Sequence, residues 1–470
     1  MTELPFHSAV QLGALLRERQ LSPVEAVESA LARIEALDPA LGAFVDVDGE
    51  RALAQARAVP AGDRRAFAGV PIAVKANTPV TGLTMDHGSR LLAGYKPSHD
   101  AHLVRRLRQE GFVIVGTTKT PEFGILPTTE PHSTGPARNP WDRERTPGGS
   151  SGGAAAAVAS GMLPIAHGND GGGSIRIPAA CCGLVGLKPS RGRVSRGPDS
   201  GDSFLVCDGV LSRTVLDTAA ALDVLSGYEV GDATWAPPPG TPFVQAVGRD
   251  PGPLRIGVTT ANPIGAPPDP DHVTAVRETA DALAGLGHRV QEVSPDLPGP
   301  EALPLFLTVF AANIALGAAY AQLLAGREAG PDDVEPLSRA MMDRAAATSS
   351  TEYLGAVAML QAISRRVIAL WADFDVLLVP ALAARPPRIG EIDGSRTDAF
   401  DRAAAFAPYA GLFNVTGQPA ITVPAGLAAD GLPTTVQLVG PPLGEDTLLQ
   451  VASQLEIARP WADRRPQMGY

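Results

Sequence analysis

The sequence predicts an α/β fold in which one large domain carries an inserted helical segment. Three observations predict it. Apolar runs suited to strands alternate with amphipathic segments suited to helices. Hydrophobic residues make up 44% of the 470 residues and charged residues 19%, which is enough apolar surface for a large core. Neither an internal repeat nor a low-complexity linker divides the chain, so a single unit is favoured over a string of small domains.

The first elements are identified from a helix cap and short apolar runs. Ser22-Pro23-Val24-Glu25 is a capping box with proline at the first helical position, and it predicts a helix. Residues 70–74 are apolar and rich in β-branched side chains, which predicts a buried strand. A helical pattern over residues 103–109 then precedes a second strand over residues 112–115.

The second half of the chain continues the alternation. Strands are predicted over residues 254–258, 290–293, 374–379 and 420–423, and a helix over residues 273–286. Residues 305–326 form an apolar stretch that is long enough to cross a bilayer. Pro304 before it, its polar interruptions and the lack of a preceding Lys/Arg cluster favour a buried or pocket-lining helix instead. We place the helical insert at residues 295–365.

Composition and charge exclude several classes of function. The 39 basic and 50 acidic residues give a net charge of −11, which leaves no electrostatic footprint for nucleic acid. Three cysteines are too few for a disulfide framework and the N-terminus does not resemble a signal peptide, so we expect a cytoplasmic protein. The eight histidines form no zinc signature. We therefore expect neither a metal nor another cofactor.

Lysine is rare in this chain and one lysine stands in an apolar strand. Lysines occur only at Lys75, Lys96, Lys119 and Lys188, and all other basic residues are arginine. Arginine keeps its proton at working pH, whereas a buried lysine can lose it. Lys75 follows the strand predicted over residues 70–74, where apolar neighbours disfavour the charged ammonium. Lys75 is therefore a candidate general base.

Two glycine-rich turns each present serine. Residues 146–153 are Thr-Pro-Gly-Gly-Ser-Ser-Gly-Gly, and residues 169–174 are Asn-Asp-Gly-Gly-Gly-Ser. Glycine lets backbone N–H groups converge on one point, where they can bind a phosphate or an oxyanion. A serine hydroxyl is a poor nucleophile until a base takes its proton, and Lys75 can be that base, as in Ser–Lys hydrolases. The combination indicates nucleophilic catalysis.

These residues resemble the amidase signature family, whose double-serine glycine loop followed by Asp-x-Gly-Gly-Ser-x-Arg is highly specific. The resemblance covers most of the chain. It implies a single 1–470 amidase domain with a large mixed central sheet covered by helices on both faces, and a catalytic core at residues 65–215. It also implies hydrolysis of an amide through an acyl-enzyme. Ser174 would be the nucleophile, and Ser150, preceded by a cis peptide, would pass its proton to Lys75.

The resemblance also implies roles for the residues around this triad. The oxyanion hole would be formed by the backbone N–H groups of Gly171, Gly172, Gly173 and Ser174. We expect Asp170 and Arg176 to brace the loop as an ion pair rather than contact the substrate. Ser151 is expected to support Lys75 by a hydrogen bond. Ser150 must reach both Lys75 and Ser174 at hydrogen-bond distance.

Two positions depart from the family pattern. Ala76 follows Lys75 where aspartate is common, so a polar contact to the lysine is missing or is supplied by Asn77. Gly171 stands where threonine is common. Residues 170–193 look closest to the subgroup of 6-aminohexanoate cyclic dimer hydrolases, although related sequences cut many amides.

Four alternatives compete with this interpretation. The amidase subunit of a tRNA-dependent amidotransferase commonly has glutamine where Ile177 stands, and the acidic charge also opposes it. A hydrolase with a nucleophile elbow at residues 148–152 would need a preceding strand, yet residues 142–147 are charged and turn-like. A small-molecule kinase could use the first loop for phosphate but leaves the second without a role. A silent binding protein of the same fold is opposed by the presence of all three reacting residues.

Segments outside the motif are expected to shape the acyl pocket, namely residues 123–131, 200–207 and 305–353. An apolar wall would come from Phe306, Phe310, Met341, Met342 and Tyr353. The expected substrate is therefore a small linear or cyclic amide with an apolar acyl part. We expect no membrane partner and, from the general preference for closed symmetric assemblies, a homodimer.

Overall fold

The computed structural model describes residues 4–265, 267–396 and 398–468. Its strands are β1 (Phe44–Val47), β2 (Pro71–Lys75), β3 (Val113–Thr118), β4 (Ile165–Asp170), β5 (Val185–Lys188), β6 (Cys207–Ser212), β7 (Arg255–Val258), β8 (Arg289–Glu292), β9 (Val376–Pro380), β10 (Ala420–Leu427) and β11 (Pro433–Val439). All of these strands belong to one sheet.

Helices precede, separate and follow the strands. They are α1 (Ala9–Arg17), α2 (Pro23–Leu41), α3 (Gly49–Arg57), α4 (His102–Gln109), α5 (Gly152–Ala159), α6 (Arg176–Cys182), α7 (Val215–Leu225), α8 (Pro270–Gly285), α9 (Leu303–Ala325), α10 (Pro336–Ala347), α11 (Ser350–Ala369), α12 (Ala399–Phe406), α13 (Gly411–Thr416) and α14 (Glu445–Ala458). The alternation with strands confirms the α/β class.

The sheet is mixed, as the family resemblance implies. Its strand order is β1-β3-β2-β4-β6-β5-β10-β11-β9-β7-β8. Strand β2 is parallel to both β3 and β4, and β7 is parallel to both β8 and β9. The other neighbouring pairs are antiparallel. The middle of the sheet is therefore antiparallel and is flanked by two parallel groups.

Helices cover both faces of this sheet. Successive residues of a strand point to opposite faces, so neighbouring residues of β2 pack into different cores. On β2, Ile72 and Val74 pack into a core that includes residues of α4, α7 and α14. Ala73 packs into a separate core with residues of α2 and α5. Lys75 lies two residues after Ala73, so it is on the same face of the sheet, which is the face covered by α5.

The elements predicted from the sequence are present, with ends shifted by a few residues. The Ser22 capping box forms as predicted, because Ser22 Oγ accepts from the N–H of Glu25 and the Glu25 carboxylate accepts from the N–H of Ser22. The four strands predicted in the second half correspond to β7, β8, β9 and β10. Short apolar runs bounded by glycine, proline or a helix therefore located the strands correctly.

The segment expected to form the helical insert contains α9, α10 and most of α11. By length and composition, the helices Pro300–Ala325 and Ser350–Ala372 could each cross a membrane. Within the most apolar stretch of each helix, most residues are not buried inside the protein. Helix α9 packs against α10 and α11 and lines a cavity. The pocket-lining interpretation of residues 305–326 agrees with this position.

Candidate active site

A cavity of about 750 Å³ lies between the end of the sheet and the helices α9, α11 and α12. The two serine loops open onto it. Strands β2 and β4 are parallel, so their carboxyl ends, Lys75 and Asp170, meet at the same edge of the sheet. Ser150 lies just before α5, and Ser174 lies just before α6. The fold therefore brings Lys75 and both serine loops to one place.

Lys75 is fully buried and its ammonium nitrogen contacts Ser150. Lys75 Nζ donates to Ser150 Oγ at 2.7 Å and to the Asn169 side-chain oxygen at 2.8 Å. Burial lowers the pKa of Lys75 to about 7, although the carboxylates of Asp208 and Asp170 act in the opposite direction. A lysine with this pKa is deprotonated in a large fraction of molecules at neutral pH and can act as a base.

Ser150 and Ser174 both line the cavity, and the peptide bond between Gly149 and Ser150 is cis. Only one of the two contacts expected for Ser150 is formed. Among the described residues no hydrogen bond joins Ser150 to Ser174, whereas the bond to Lys75 is present. Catalytic hydrogen bonds are often long without substrate and shorten when it binds. The arrangement therefore fits a proton path that closes on binding.

Three residues of the glycine loop line the cavity, but Gly173 is not one of them. Gly171, Gly172 and Ser174 line the cavity. The N–H of Gly173 donates to the Asp170 carboxylate at 2.8 Å and is already occupied. Gly173 also has φ of 128°, and a Cβ there would lie 2.6 Å from the Ile177 side chain. The expectation for Gly173 is therefore corrected, because its N–H is bonded to Asp170 and its conformation shapes the loop.

Asp170 and Arg176 form the expected buried ion pair. Arg176 Nη2 and Nε donate to the two oxygens of the Asp170 carboxylate, both at 2.9 Å. Asn414 donates to the same carboxylate at 2.8 Å, and Arg176 also donates to Gln437 at 2.7 Å. The Arg176 guanidinium holds the pKa of Asp170 well below its usual range. Neither side chain of the pair lines the cavity, so the pair braces the loop.

The polar support of Lys75 differs from the expectation at two positions. Ser151 Oγ donates to the Asn169 backbone oxygen at 3.2 Å instead of contacting Lys75. Asn77 also acts indirectly, because its side-chain oxygen accepts from the Asn169 amide at 2.9 Å. Asn169 is the direct partner, and sequence reasoning missed it. Its position beside Asp170 in the motif was the available signal.

Three further titratable residues near Lys75 were given no role from the sequence. The backbone N–H of Lys75 donates to His167 Nδ1 at 3.4 Å, and His167 Nε2 contacts Asp208 Oδ1 at 3.2 Å. His87 lines the cavity, and its Nε2 is buried without a hydrogen-bond partner. Burial, aided by the charge of Lys75, lowers the pKa of His87 to about 4. In sequence these residues give no signal beyond isolated polar positions.

Another part of the cavity lining is apolar and aromatic. The Phe306 and Phe310 rings stack with centroids 5.5 Å apart, and Phe310 lies 6.0 Å from Phe400. These three residues and Tyr353 line the cavity. The expectation is wrong for Met341 and Met342, which do not line the cavity. Both methionines lie on α10, which is not the helix facing the serines, and the Met341 side chain is buried in a core cluster. Phe400 comes from α12, outside the segments proposed from the sequence.

The nucleophile-elbow alternative can be compared with this geometry. The nucleophile elbow needs a strand before Ser150, yet the described chain has no strand between the end of β3 at Thr118 and Ser150. Among the described residues, no group of three or more His, Cys, Asp or Glu side chains is placed to hold a metal ion. The groups at the site are suited to acyl transfer by serine, lysine and backbone N–H groups.

Comparison with known proteins gives a full-length match. A family model described as Amidase matches residues 25–449. The 6-aminohexanoate-cyclic-dimer hydrolases of Pseudomonas sp. (strain NK87) and Paenarthrobacter ureafaciens are 39% and 40% identical, over 98% of this chain and 97% of each relative. A structure of 6-aminohexanoate cyclic dimer hydrolase complexed with substrate superposes with a TM-score of 0.91 at 38% identity, covering 99% of both chains.

A more distant match concerns one of the alternatives. The structure of one subunit of the glutamyl-tRNA(Gln) amidotransferase from Thermotoga maritima superposes with a TM-score of 0.79 at 28% identity, over 98% of this chain and 96% of that one. It shares the fold but is less similar to this chain than the cyclic dimer hydrolase.

Proposed function

Because the chain belongs to the amidase signature family and is a hydrolase of linear or cyclic amides, we propose that it cleaves a small amide through an acyl-enzyme on Ser174. The observation that carries this proposal is the buried contact of 2.7 Å between Lys75 Nζ and Ser150 Oγ, on the cavity that Ser174 also lines. It connects Ser150, the proposed acceptor of the nucleophile's proton, to a base that is neutral in a large fraction of molecules near pH 7.

Acylation begins when Ser174 Oγ attacks the substrate carbonyl carbon. The Ser174 proton passes to Ser150 Oγ as the Ser150 proton passes to Lys75 Nζ. The negative charge that forms on the carbonyl oxygen accepts hydrogen bonds from the N–H groups of Gly171 and Gly172, which are preorganised by the loop. The Asp170–Arg176 pair keeps that loop in place.

Release of the amine and hydrolysis complete the cycle. The C–N bond breaks, and the proton returns from Lys75 through Ser150 to the leaving nitrogen. Water then attacks the ester carbon and gives its proton to Lys75 through Ser150. When the ester bond breaks, that proton returns to Ser174 Oγ. The net reaction converts one amide and one water into a carboxylic acid and an amine.

The proposed substrate has an apolar acyl part. Phe306, Phe310 and Phe400 offer it an aromatic surface, and a cavity of about 750 Å³ is in the range of small-molecule sites. Two relatives are named for hydrolysis of the 6-aminohexanoate cyclic dimer, which makes that amide the first substrate to test. The amidotransferase alternative is less supported, because the amidotransferase structure is less similar and Ile177 stands where its subgroup commonly has glutamine.

Two expectations about the protein in solution remain part of this proposal. Cys181, Cys182 and Cys207 are free and buried, which supports a reducing compartment such as the cytoplasm. A homodimer is proposed on general grounds of symmetry alone. Light scattering coupled to size-exclusion chromatography measures the mass directly, and a monomer at all concentrations would contradict the dimer.

The test of the proposed function is covalent labelling with a fluorophosphonate followed by peptide mapping. The adduct is expected on Ser174, and it should be absent in Ser174→Ala and much slower to form in Lys75→Ala. Asp343→Asn, which changes an exposed charge on α10, is a matched control and should label normally. An adduct on Ser150 would show that the nucleophile is wrong. Undiminished labelling in Lys75→Ala would show that the base is wrong.

A further inference from the structure

We propose that Asp208 is a positioning residue that sets the proton affinity of Lys75, with Arg196 on the cavity wall as its counter-charge. This inference rests on the proposed function, in which Lys75 is the base. It concerns a carboxylate that never touches the substrate and lies outside the signature loops, on strand β6.

Three contacts link Asp208 to the lysine and to the cavity. His167 accepts from the backbone N–H of Lys75 at Nδ1, so its Nε2 carries the proton and donates to Asp208 Oδ1 at 3.2 Å. The other oxygen, Oδ2, accepts from Arg196 Nε at 3.2 Å. Arg196 itself lines the cavity. A single buried carboxylate therefore joins the strand of the base to a charged group of the cavity wall.

Several charged or titratable groups surround Lys75. Asp208 approaches from β6, and Asp170 and His167 approach from β4. His87 follows β2 and contributes no positive charge near neutral pH, because burial keeps its pKa low. The two carboxylates are therefore the groups that favour the protonated lysine.

The two carboxylates are compensated to different degrees. Asp170 forms a two-bond ion pair with Arg176, whose side chain is 2% exposed, and it accepts further bonds from the loop and from Asn414. Asp208 has the His167 imidazole on one oxygen and a single bond to Arg196, whose side chain is 25% exposed, on the other. Water screens the charge of a partly exposed arginine. The negative charge of Asp208 is therefore less cancelled, and it acts on Lys75 more strongly.

Removing the charge of Asp208 and removing the charge of Arg196 should change the proton affinity of Lys75 in opposite directions. Removing the charge of Asp208 takes away a group that holds the proton on Lys75, so the lysine should lose its proton at lower pH. Removing the charge of Arg196 leaves the Asp208 carboxylate uncompensated, so the lysine should hold its proton to higher pH. Replacing a residue with a merely structural role would lower activity at every pH without moving the midpoint of the rise in rate with pH.

The experiment is the rate of Ser174 labelling by a fluorophosphonate between pH 5 and pH 9 on the full chain. The wild-type rate should rise with pH, with a midpoint near the Lys75 pKa of about 7. In Asp208→Asn the midpoint should fall by about one pH unit, since a nearby charge typically shifts a pKa by one or more units. In Arg196→Gln it should rise by about half a unit, a smaller effect because Arg196 is partly exposed.

Glu445→Gln is the matched control. Glu445 forms a comparable buried ion pair with Arg193 at 3.0 Å, but neither residue faces Lys75. This variant loses a buried carboxylate and should leave the midpoint where it is. If Asp208→Asn fails to fold, Arg196→Gln decides alone, because its side chain is partly exposed and more tolerant of change.

The outcomes separate this inference from the function on which it rests. Opposite movements of the midpoint in Asp208→Asn and Arg196→Gln would support it. A midpoint that stays in place, or moves in the same direction in both variants, would overturn it while the role of Lys75 stands. If Lys75→Ala keeps the wild-type rate and midpoint, the assignment of the base itself is wrong.

Discussion

Two walls of one cavity differ in chemistry and in how the chain builds them. The catalytic wall consists of Ser150, Asn169, Gly171, Gly172 and Ser174. These residues come from two turns close together in sequence, and the groups behind them are held by buried hydrogen bonds and the Asp170–Arg176 pair. This wall is fixed by directional polar contacts.

The apolar wall consists of Phe306, Phe310, Ile314, Leu360 and Phe400. These side chains come from α9, α11 and α12, which are spread over about a hundred residues, and they contact each other through ring stacking and van der Waals packing. Such contacts are not directional and adapt to ligand shape. We expect the reaction to depend on the catalytic wall and substrate choice on the apolar wall, so mutations should separate kcat from KM.

Replacing Lys75, the proposed base behind the catalytic wall, should have the largest effect. Lys75→Arg keeps the positive charge, but arginine cannot give up its proton at working pH. We expect kcat for the cyclic dimer, or the rate of Ser174 labelling, to fall on the order of 10²–10⁴-fold, the usual contribution of acid–base catalysis. Lys119→Arg is the matched control, since Lys119 is also buried but donates to the backbone carbonyls of Thr134 and Gly135 at 3.0 and 3.1 Å. Comparable losses in both variants would contradict a special role for Lys75.

Removing the direct polar partner of Lys75 should have an intermediate effect. Asn169→Ala deletes the oxygen that accepts from Lys75 Nζ at 2.8 Å, and a hydrogen bond to a charged group is worth about 1.5–3 kcal/mol. We expect kcat to fall about 10- to 100-fold with little change in KM. Asn77→Ala, which removes only the indirect contact, should cost less. An equal or larger loss in Asn77→Ala would favour the assignment made from sequence.

Changing the apolar wall should act on KM instead. Phe306→Ala removes aromatic surface from the cavity without replacing a serine or Lys75. Partial loss of one buried aromatic side chain costs about 1–2 kcal/mol, so KM should rise about tenfold with kcat nearly constant. Leu323→Ala on the same helix is the control, because Leu323 is 75% exposed and lies outside the cavity. A fall in kcat without a change in KM would mean that the two walls are not separable.

The smallest effect is expected for Glu335, and it concerns how the free energy of unfolding depends on pH. Glu335 directly precedes α10 and accepts from the N–H of His132 at 2.8 Å, and burial raises its pKa to about 8. The folded state therefore holds a proton that the unfolded chain, with a pKa near 4.5, releases earlier. The free energy of unfolding should decrease as pH rises from about 4.5 to 8. Glu335→Gln removes this contribution. The Tm of this variant should therefore increase relative to the wild-type Tm, by a few degrees, as the pH rises over that range.

Glu445→Gln provides the opposite sign for comparison. Hydrogen bonds and charge from Arg193 lower the pKa of Glu445, so its stabilisation is present above the unfolded pKa and is lost as the pH falls. The Tm deficit of this variant should therefore shrink as the solution is acidified below about pH 4.5. A Tm difference for Glu335→Gln that does not change with pH would show that Glu335 ionises normally in the folded protein.

From sequence alone, the strands and the two serine turns could be predicted. Lys75 was a candidate base because it follows an apolar strand, whereas the roles proposed for Ser150 and Ser174 came from the resemblance of their glycine-rich turns to the amidase signature. The Asp170–Arg176 pair followed from the same local motif. Residues 70–74 and 112–115 were assigned to strands because apolar runs between punctuating residues leave few alternatives.

The tertiary structure decided which polar atoms meet. It gave Lys75 its contact with Asn169 instead of Asn77 and occupied the N–H of Gly173 with Asp170. It also joined Asp208 to Arg196 beside the base, placed Phe400 on the apolar wall and kept Met341 off it. Periodicity predicts which face of an element a side chain takes, but not which distant element packs there. Contacts between residues far apart in sequence are set by that packing, and only the folded chain determines them.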